Sequence, residues 1–206
     1  MTRTSGVRYL MVLVLAAMVS GVATAARAQS EDPGLPETFT AFAVNMSGVG
    51  RAAAGTMQFT VERWSTDAER DKLRDTLIER GPDKLLGVLQ DIKPRTGFMR
   101  TANSIGYDLY YARQTVKEDG SRRVVLATNR RMSFAEVRQG GRSTDYEFTL
   151  IEMHFPKQGK GEGKWANAVK ITYNKDTRTV ELENYGQQPI RLNEITAEPS
   201  KPKDKK

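Results

Sequence analysis

Residues 145–155 (DYEFTLIEMHF) constrain this chain more than any other stretch, because alternate positions are apolar on both parities. One face would carry Tyr146, Phe148, Leu150, Glu152 and His154, and the other Glu147, Thr149, Ile151, Met153 and Phe155. A strand with one face in water is apolar on a single parity, so this run predicts a central strand covered on both sides. It also carries the one histidine of the 206-residue chain, two residues after a glutamate.

Residues 1–28 have the three parts of a secretory signal: Arg3 and Arg8, an apolar run over 9–19, and small residues before a cut. Two A-x-A sites occur, ending at Ala25 and Ala28, and the second is preferred because polar, turn-prone sequence begins at Gln29. The apolar run falls well short of the roughly 20 residues that span a bilayer, so cleavage is expected rather than anchoring. The chain has no cysteine, hence neither a lipid-attachment site nor disulfides in the oxidising compartment it would enter. A soluble periplasmic or extracellular product, held by its core alone, is the expectation. A domain of this size can bury roughly 70% of its unfolded surface.

Charge argues against a nucleic-acid partner. Removing Arg3, Arg8 and Arg27 with the leader takes the formal +7 to +4, and residues 199–206, with four lysines and one aspartate, hold +3 of that. The folded body is nearly neutral, and the Lys/Pro tail over 197–206 reads as disordered.

Along the mature chain, a flexible leader over 29–37 precedes a single β-rich domain over 38–196. Strands are predicted over 38–46 and 56–64, with a turn at 47–50; in the second, Met57, Phe59 and Val61 alternate with polar residues. The period then changes. Thr66-Asp67-Ala68-Glu69 is a capping box, followed by Leu73, Leu77 and Ile78 among charges; Gly81 ends that helix. Pro82 opens a second, whose apolar face is Leu85, Leu86, Val88, Leu89 and Ile92. This two-helix insertion, residues 66–92, is expected to lie against the sheet or close one end of a barrel.

Further strands are predicted over 97–101, 105–116, 122–128, 131–137, 145–155, 164–173, 178–185 and 189–195, with hairpin chemistry at 118–121 and 174–177 and a glycine loop at 159–163. Expected core sets are Ile105, Tyr107, Leu109 and Tyr111; Val124 and Leu126; Trp165, Val169, Ile171 and Tyr173; Val180 and Leu182; Ile190 and Leu192. The fold class is mainly β (α+β): an antiparallel β-barrel or sandwich of about 8–10 strands with a two-helix insertion after the second strand.

The segments YDLYYARQ, RRVVLATNR, DYEFTLIEMHF and ITYNKDTRTVELENYGQQPIRL resemble those of a group of exported bacterial proteins of unknown function. The resemblance covers most of the mature chain. It implies one compact exported domain and brings no activity, cofactor or catalytic residue.

Catalytic chemistry finds little in the sequence. There is no G-x-S-x-G elbow, and any serine would need His154 as its base. Glu152 and His154 share a strand face with Cα atoms roughly 6.5 to 7 Å apart, which permits a carboxylate–imidazole pair and leaves a hydrolase as an alternative. One histidine is too few for a zinc site, and no D-x-D-x-D-G calcium loop is present. Gly159 to Lys164 superficially resembles a phosphate loop, but a strand rather than a helix follows it. No metal and no cofactor are expected.

The leading expectation is therefore a non-catalytic binding or interaction domain, with Tyr107, Tyr111, Glu152, His154 and Trp165 lining a site for a small apolar or amphipathic ligand. The other alternative is a protein that docks on an anionic envelope surface through Arg122, Arg123, Arg130, Arg131, Arg138 and Arg142, which face only Glu136 over that stretch.

Overall fold

The structure, a computed structural model, describes residues 35–45, 53–101, 104–129, 147–184 and 189–200. These all fall within one compact unit, Glu31–Lys206. Ten strands are found among them: β1 (Glu37–Asn45), β2 (Ala53–Val61), β3 (Gly97–Thr101), β4 (Tyr107–Leu109), β5 (Tyr111–Val116), β6 (Arg122–Asn129), β7 (Phe148–Phe155), β8 (Gly161–Asn174), β9 (Thr179–Asn184) and β10 (Ile190–Pro199). They pair antiparallel in the order β4-β3-β2-β1-β10-β8-β7-β6-β5, with β9 added to β8. The turn expected at 47–50 and the strand expected at 131–137 lie outside the described residues.

The two ends of this path are the two halves of one stretch of chain. β4 pairs with β3 and β5 pairs with β6, and only a bend at Tyr110 separates them. Across the seam, Tyr110 N donates to Ala127 O at 3.0 Å and Thr128 Oγ1 to Asp108 O at 2.5 Å. The sheet is thus a nearly closed barrel, and closure removes the exposed edges that an open sheet would leave.

β7 is covered on both faces over its first half, as expected, while its outer face is open at Glu152 and His154. Ile151, Met153 and Phe155 join Phe39, Phe59, Val61, Leu109, Val124, Leu126, Leu192 and Ile195 in the barrel interior. Phe148 and Leu150, on the other parity, lie under the helical insertion. That insertion starts with α1 (Asp67–Asp75), capped as expected: Glu69 N donates to Thr66 Oγ1 at 3.2 Å and Thr66 N to Glu69 Oε2 at 2.9 Å. A wider turn over Thr76–Arg80 leads through Gly81 and a 3₁₀ turn at Pro82–Lys84 into α2 (Leu85–Gln90). Leu77, Leu85, Leu89 and Ile92 pack on Phe148 and Val169, so the helices cover the outer wall of the sheet.

Five expectations need correction. Ile105, Tyr107, Leu109 and Tyr111 do not share a face: the bend at Tyr110 turns Leu109 and Ala112 inward, Tyr111 goes outward to the helix cluster, and Ile105 is fully exposed. Trp165 and Val169 also part company. Leu150 pairs with Ala166 but Phe148 with Val169, so an extra residue in β8 sends Trp165 into the barrel and Val169 under the helices. Val180 and Leu182 are exposed because nothing described covers β9, which stands outside the barrel path.

The glycines at 161 and 163 belong to a strand rather than a loop. A Cβ at Gly161 would meet the Phe155 ring at 2.7 Å, and one at Gly163 would meet Glu152 O at 2.5 Å, so their bare backbone makes room for neighbours in the interior. β10 also runs to Pro199, where Glu37 pairs with it, beyond the expected strand end.

Candidate functional site

At the end of the barrel where β3 connects to β4, inward positions of three strand pairs converge. Met99 and Tyr107 are in register across β3 and β4. Thr149 donates to Asn167 O at 3.1 Å and contacts Asn167 Oδ1 at 3.2 Å, linking β7 to the irregular part of β8. Trp165 stands opposite both Ile151 and Ile190 and packs against the interior core. Together with Tyr110 and Asn129 these side chains line a cleft of about 890 Å³.

The outer wall of this cleft is cationic and aromatic. Phe98 and Arg100 follow from β3's alternation, since Met99 between them points inward. The Phe98 ring has the Arg95 guanidinium 5.3 Å and the Arg100 guanidinium 5.5 Å from its centroid. Arg95 pairs with Glu62 at 3.0 Å and also with Asp108. The hydrogen bond to Glu62, working against partial burial and helped by Asp108, pushes its pKa above the ordinary arginine value. Arg100 Nε instead donates to a neutral partner, Gln58 Oε1, at 3.0 Å. One cation of the wall is thus neutralised locally, while the other is held by an amide.

One feature of the cleft stands apart. Trp165 Nε1 is buried and has no hydrogen-bond partner. An unmatched buried donor costs about 1–3 kcal/mol, and native proteins keep few of them. Trp64 satisfies its indole, donating to Leu35 O at 2.9 Å. Trp165 thus brings an unused donor to the lining of the cleft.

Of the five residues expected to line one site, the structure brings Tyr107 and Trp165 to this cleft and places the other three elsewhere. Tyr111 faces the helical insertion, where burial pushes its phenol up despite the nearby Arg113. Glu152 and His154 share the outer face of β7, as their spacing requires, with His154 Nε2 and Glu152 Oε1 3.1 Å apart. His154 is five residues along β7 from Thr149, roughly 16 Å, and its side chain is 59% exposed. Burial raises the Glu152 carboxyl, but the hydrogen bond and charge of Arg123, with His154 adding, outweigh it and hold the pKa below its ordinary value. A carboxylate held ionised by an arginine at 2.5 Å is a weak proton acceptor.

The arginine cluster is described only in part, because Arg130, Arg131, Arg138 and Arg142 lie outside the described residues. Arg122 pairs with Glu37 at 2.7 Å and lies over Phe155 at 4.8 Å and Phe39 at 5.6 Å, closing the far end of the core. Arg123 is the partner of Glu152. Both line a smaller depression of about 410 Å³ with Lys117, His154 and Lys160.

Sequence reasoning missed Phe98, Arg100 and Asn167. The alternation of Phe98 and Arg100 about Met99 was a legible signal, whereas Asn167 reaches the cleft only through the irregularity in β8. No group of three or more metal-ligating side chains occurs among the described residues, and no helix there is long and apolar enough to cross a membrane. Comparison with protein-family models, with curated proteins and with solved structures returned no match.

Proposed function

We propose that this chain is an exported, non-catalytic binding domain whose cleft at the β3–β4 end of the barrel takes a small amphipathic ligand. The unpartnered Trp165 indole N–H carries this reading: it lies beside Tyr107 and Met99, where an apolar body would be covered and a polar acceptor would find a donor. Arg100, held by an amide rather than a carboxylate, favours a ligand whose polar end is anionic. Export rests on the signal-like leader over 1–28 and on the resemblance to exported bacterial proteins.

Two measurements test it. Native mass spectrometry of the protein purified from its own exported fraction is expected to show a small-molecule adduct that denaturation removes. Titration with an anilinonaphthalene sulfonate dye, apolar with one anionic group, should show saturable binding that weakens about tenfold, or 1.4 kcal/mol, in both Trp165→Phe and Tyr107→Ala. A clean apo mass together with dye binding indifferent to both substitutions would overturn the assignment.

A further inference from the structure

β9 is the one described strand that lies off the barrel path, hydrogen-bonded to Val169–Asn174 of β8 on one side and to no described strand on the other. Its register is unbroken over six residue pairs, so alternate residues present regular N–H and C=O groups to the edge that no described strand joins. Strand edges of this kind are usually blunted by a proline, a charged side chain or a bulge; Thr179–Asn184 (TVELEN) has neither proline nor bulge, and its only such charges are two glutamates, which repel an acidic strand but not a basic one.

The side chains divide cleanly between the two faces. Val180 and Leu182 are 53% and 60% exposed and stand opposite Tyr173 and Ile171, which pack against the helix cluster, so an apolar strip runs from the insertion out to the edge. On the other face Glu181 stands opposite Thr172 and Glu183 opposite Lys170, and Glu181 also accepts a hydrogen bond from Asn174 at 2.9 Å. The edge is therefore apolar on one face and acidic at alternate positions on the other.

That pattern disfavours a second copy of the chain. With the apolar residues kept on one face, an antiparallel copy overlapping most of the strand sets Glu181 opposite Glu181 or Glu183 of its partner. Like charges directly opposite are destabilising. The complementary occupant has lysine or arginine where the copy would have glutamate, and apolar side chains between them.

We propose that β9 is a docking strand, which an extended segment of a partner protein with alternating basic and apolar residues joins as an added strand. Main-chain hydrogen bonds hold the segment, Val180 and Leu182 seat its apolar side chains, and Glu181 and Glu183 select its charge. This surface is separate from the barrel cleft and does not depend on it.

The probes are three octapeptides: alternating lysine and valine, a scramble of the same composition, and alternating glutamate and valine. With the full chain, the lysine–valine peptide should bind about tenfold or more tightly than the other two, lose affinity with salt, and slow amide exchange at 179–184. The Glu181→Lys, Glu183→Lys double variant should exchange preferences and take the glutamate–valine peptide, which also shows that the variant is folded. Equal affinity for the scramble, protection appearing elsewhere, slow exchange at β9 without any peptide, or dimerisation through β9 would each overturn the proposal.

Discussion

Thr128 on β6 donates its hydroxyl to the carbonyl of Asp108 on β4 at 2.5 Å, and this bond crosses the seam that closes the barrel. Thr128 is 2% exposed, so its hydroxyl is shielded from water and relies on this carbonyl and, at 3.2 Å, on Asn129 Oδ1. Valine at 128 keeps the shape and removes the donor; Thr128→Val should lower unfolding free energy by about 1–3 kcal/mol, while Thr128→Ser should lose less. Urea denaturation of both variants measures it, and a Val variant as stable as the parent would show that the seam is held by other contacts.

Close approach of β2 and β3 depends on Gly97. A Cβ there would lie 1.9 Å from Thr60 O, whereas one at Gly55, also in the β1–β3 sheet, would meet nothing within 4 Å. Gly97→Ala is expected to destabilise by about 2 kcal/mol or more through backbone displacement, and Gly55→Ala to be neutral or slightly stabilising. Thermal melts of the two alanine variants, side by side, separate steric from entropic effects.

Glu69 both completes the cap of α1 and receives two bonds from Arg63, each 2.9 Å. Partial burial raises its pKa, but the hydrogen bond and charge of Arg63, with the Thr66 bonds, bring it below the ordinary 4.5. Because folding lowers this pKa, the unfolded chain takes up the proton first on acidification. The stabilisation is present above about 4.5 and is lost as pH falls through the lower folded value. Glu69→Gln should therefore be less stable than the parent at pH 7, by about 1 kcal/mol, and the gap should close toward pH 3. A gap that stays constant with pH would assign the effect to packing.

The two tryptophans should respond differently to the same change. Trp64→Phe abandons the Leu35 carbonyl and is expected to cost about 1–3 kcal/mol. Trp165→Phe removes a donor that has no partner, and the relief offsets lost contact, so the ligand-free protein should stay within about 1 kcal/mol of the parent. Chemical denaturation of dye-free protein decides it. A large loss at Trp165 would make it an ordinary packing residue.

Much of this fold is local and could be read directly. The capping box at Thr66 and Glu69, the two-sided strand around Ile151 and the asparagine turn at 174–177 each rest on interactions within a few residues, where spacing alone specifies geometry. The pairing of Glu152 with His154 was legible for the same reason. Its exposure was not, because whether an outer face is covered depends on where the helices lie: they reach Phe148 and Leu150 and stop short of Glu152.

The sequence by itself determined the type of most described elements, an antiparallel barrel-or-sandwich class and the insertion, since periodicity and caps act over short distances. Only the tertiary structure decided that the sheet closes into a near-barrel, which apolar residues are core, which strand lies off the barrel path, and which side chains meet at the cleft. The bend at Tyr110 and the extra residue in β8 shift parity by one, and such a shift sends every later side chain to the opposite face. Tyr107 and Trp165 are 58 positions apart in the sequence and share a site because closing the sheet into a barrel brings the start of β4 and the inner part of β8 to one cleft.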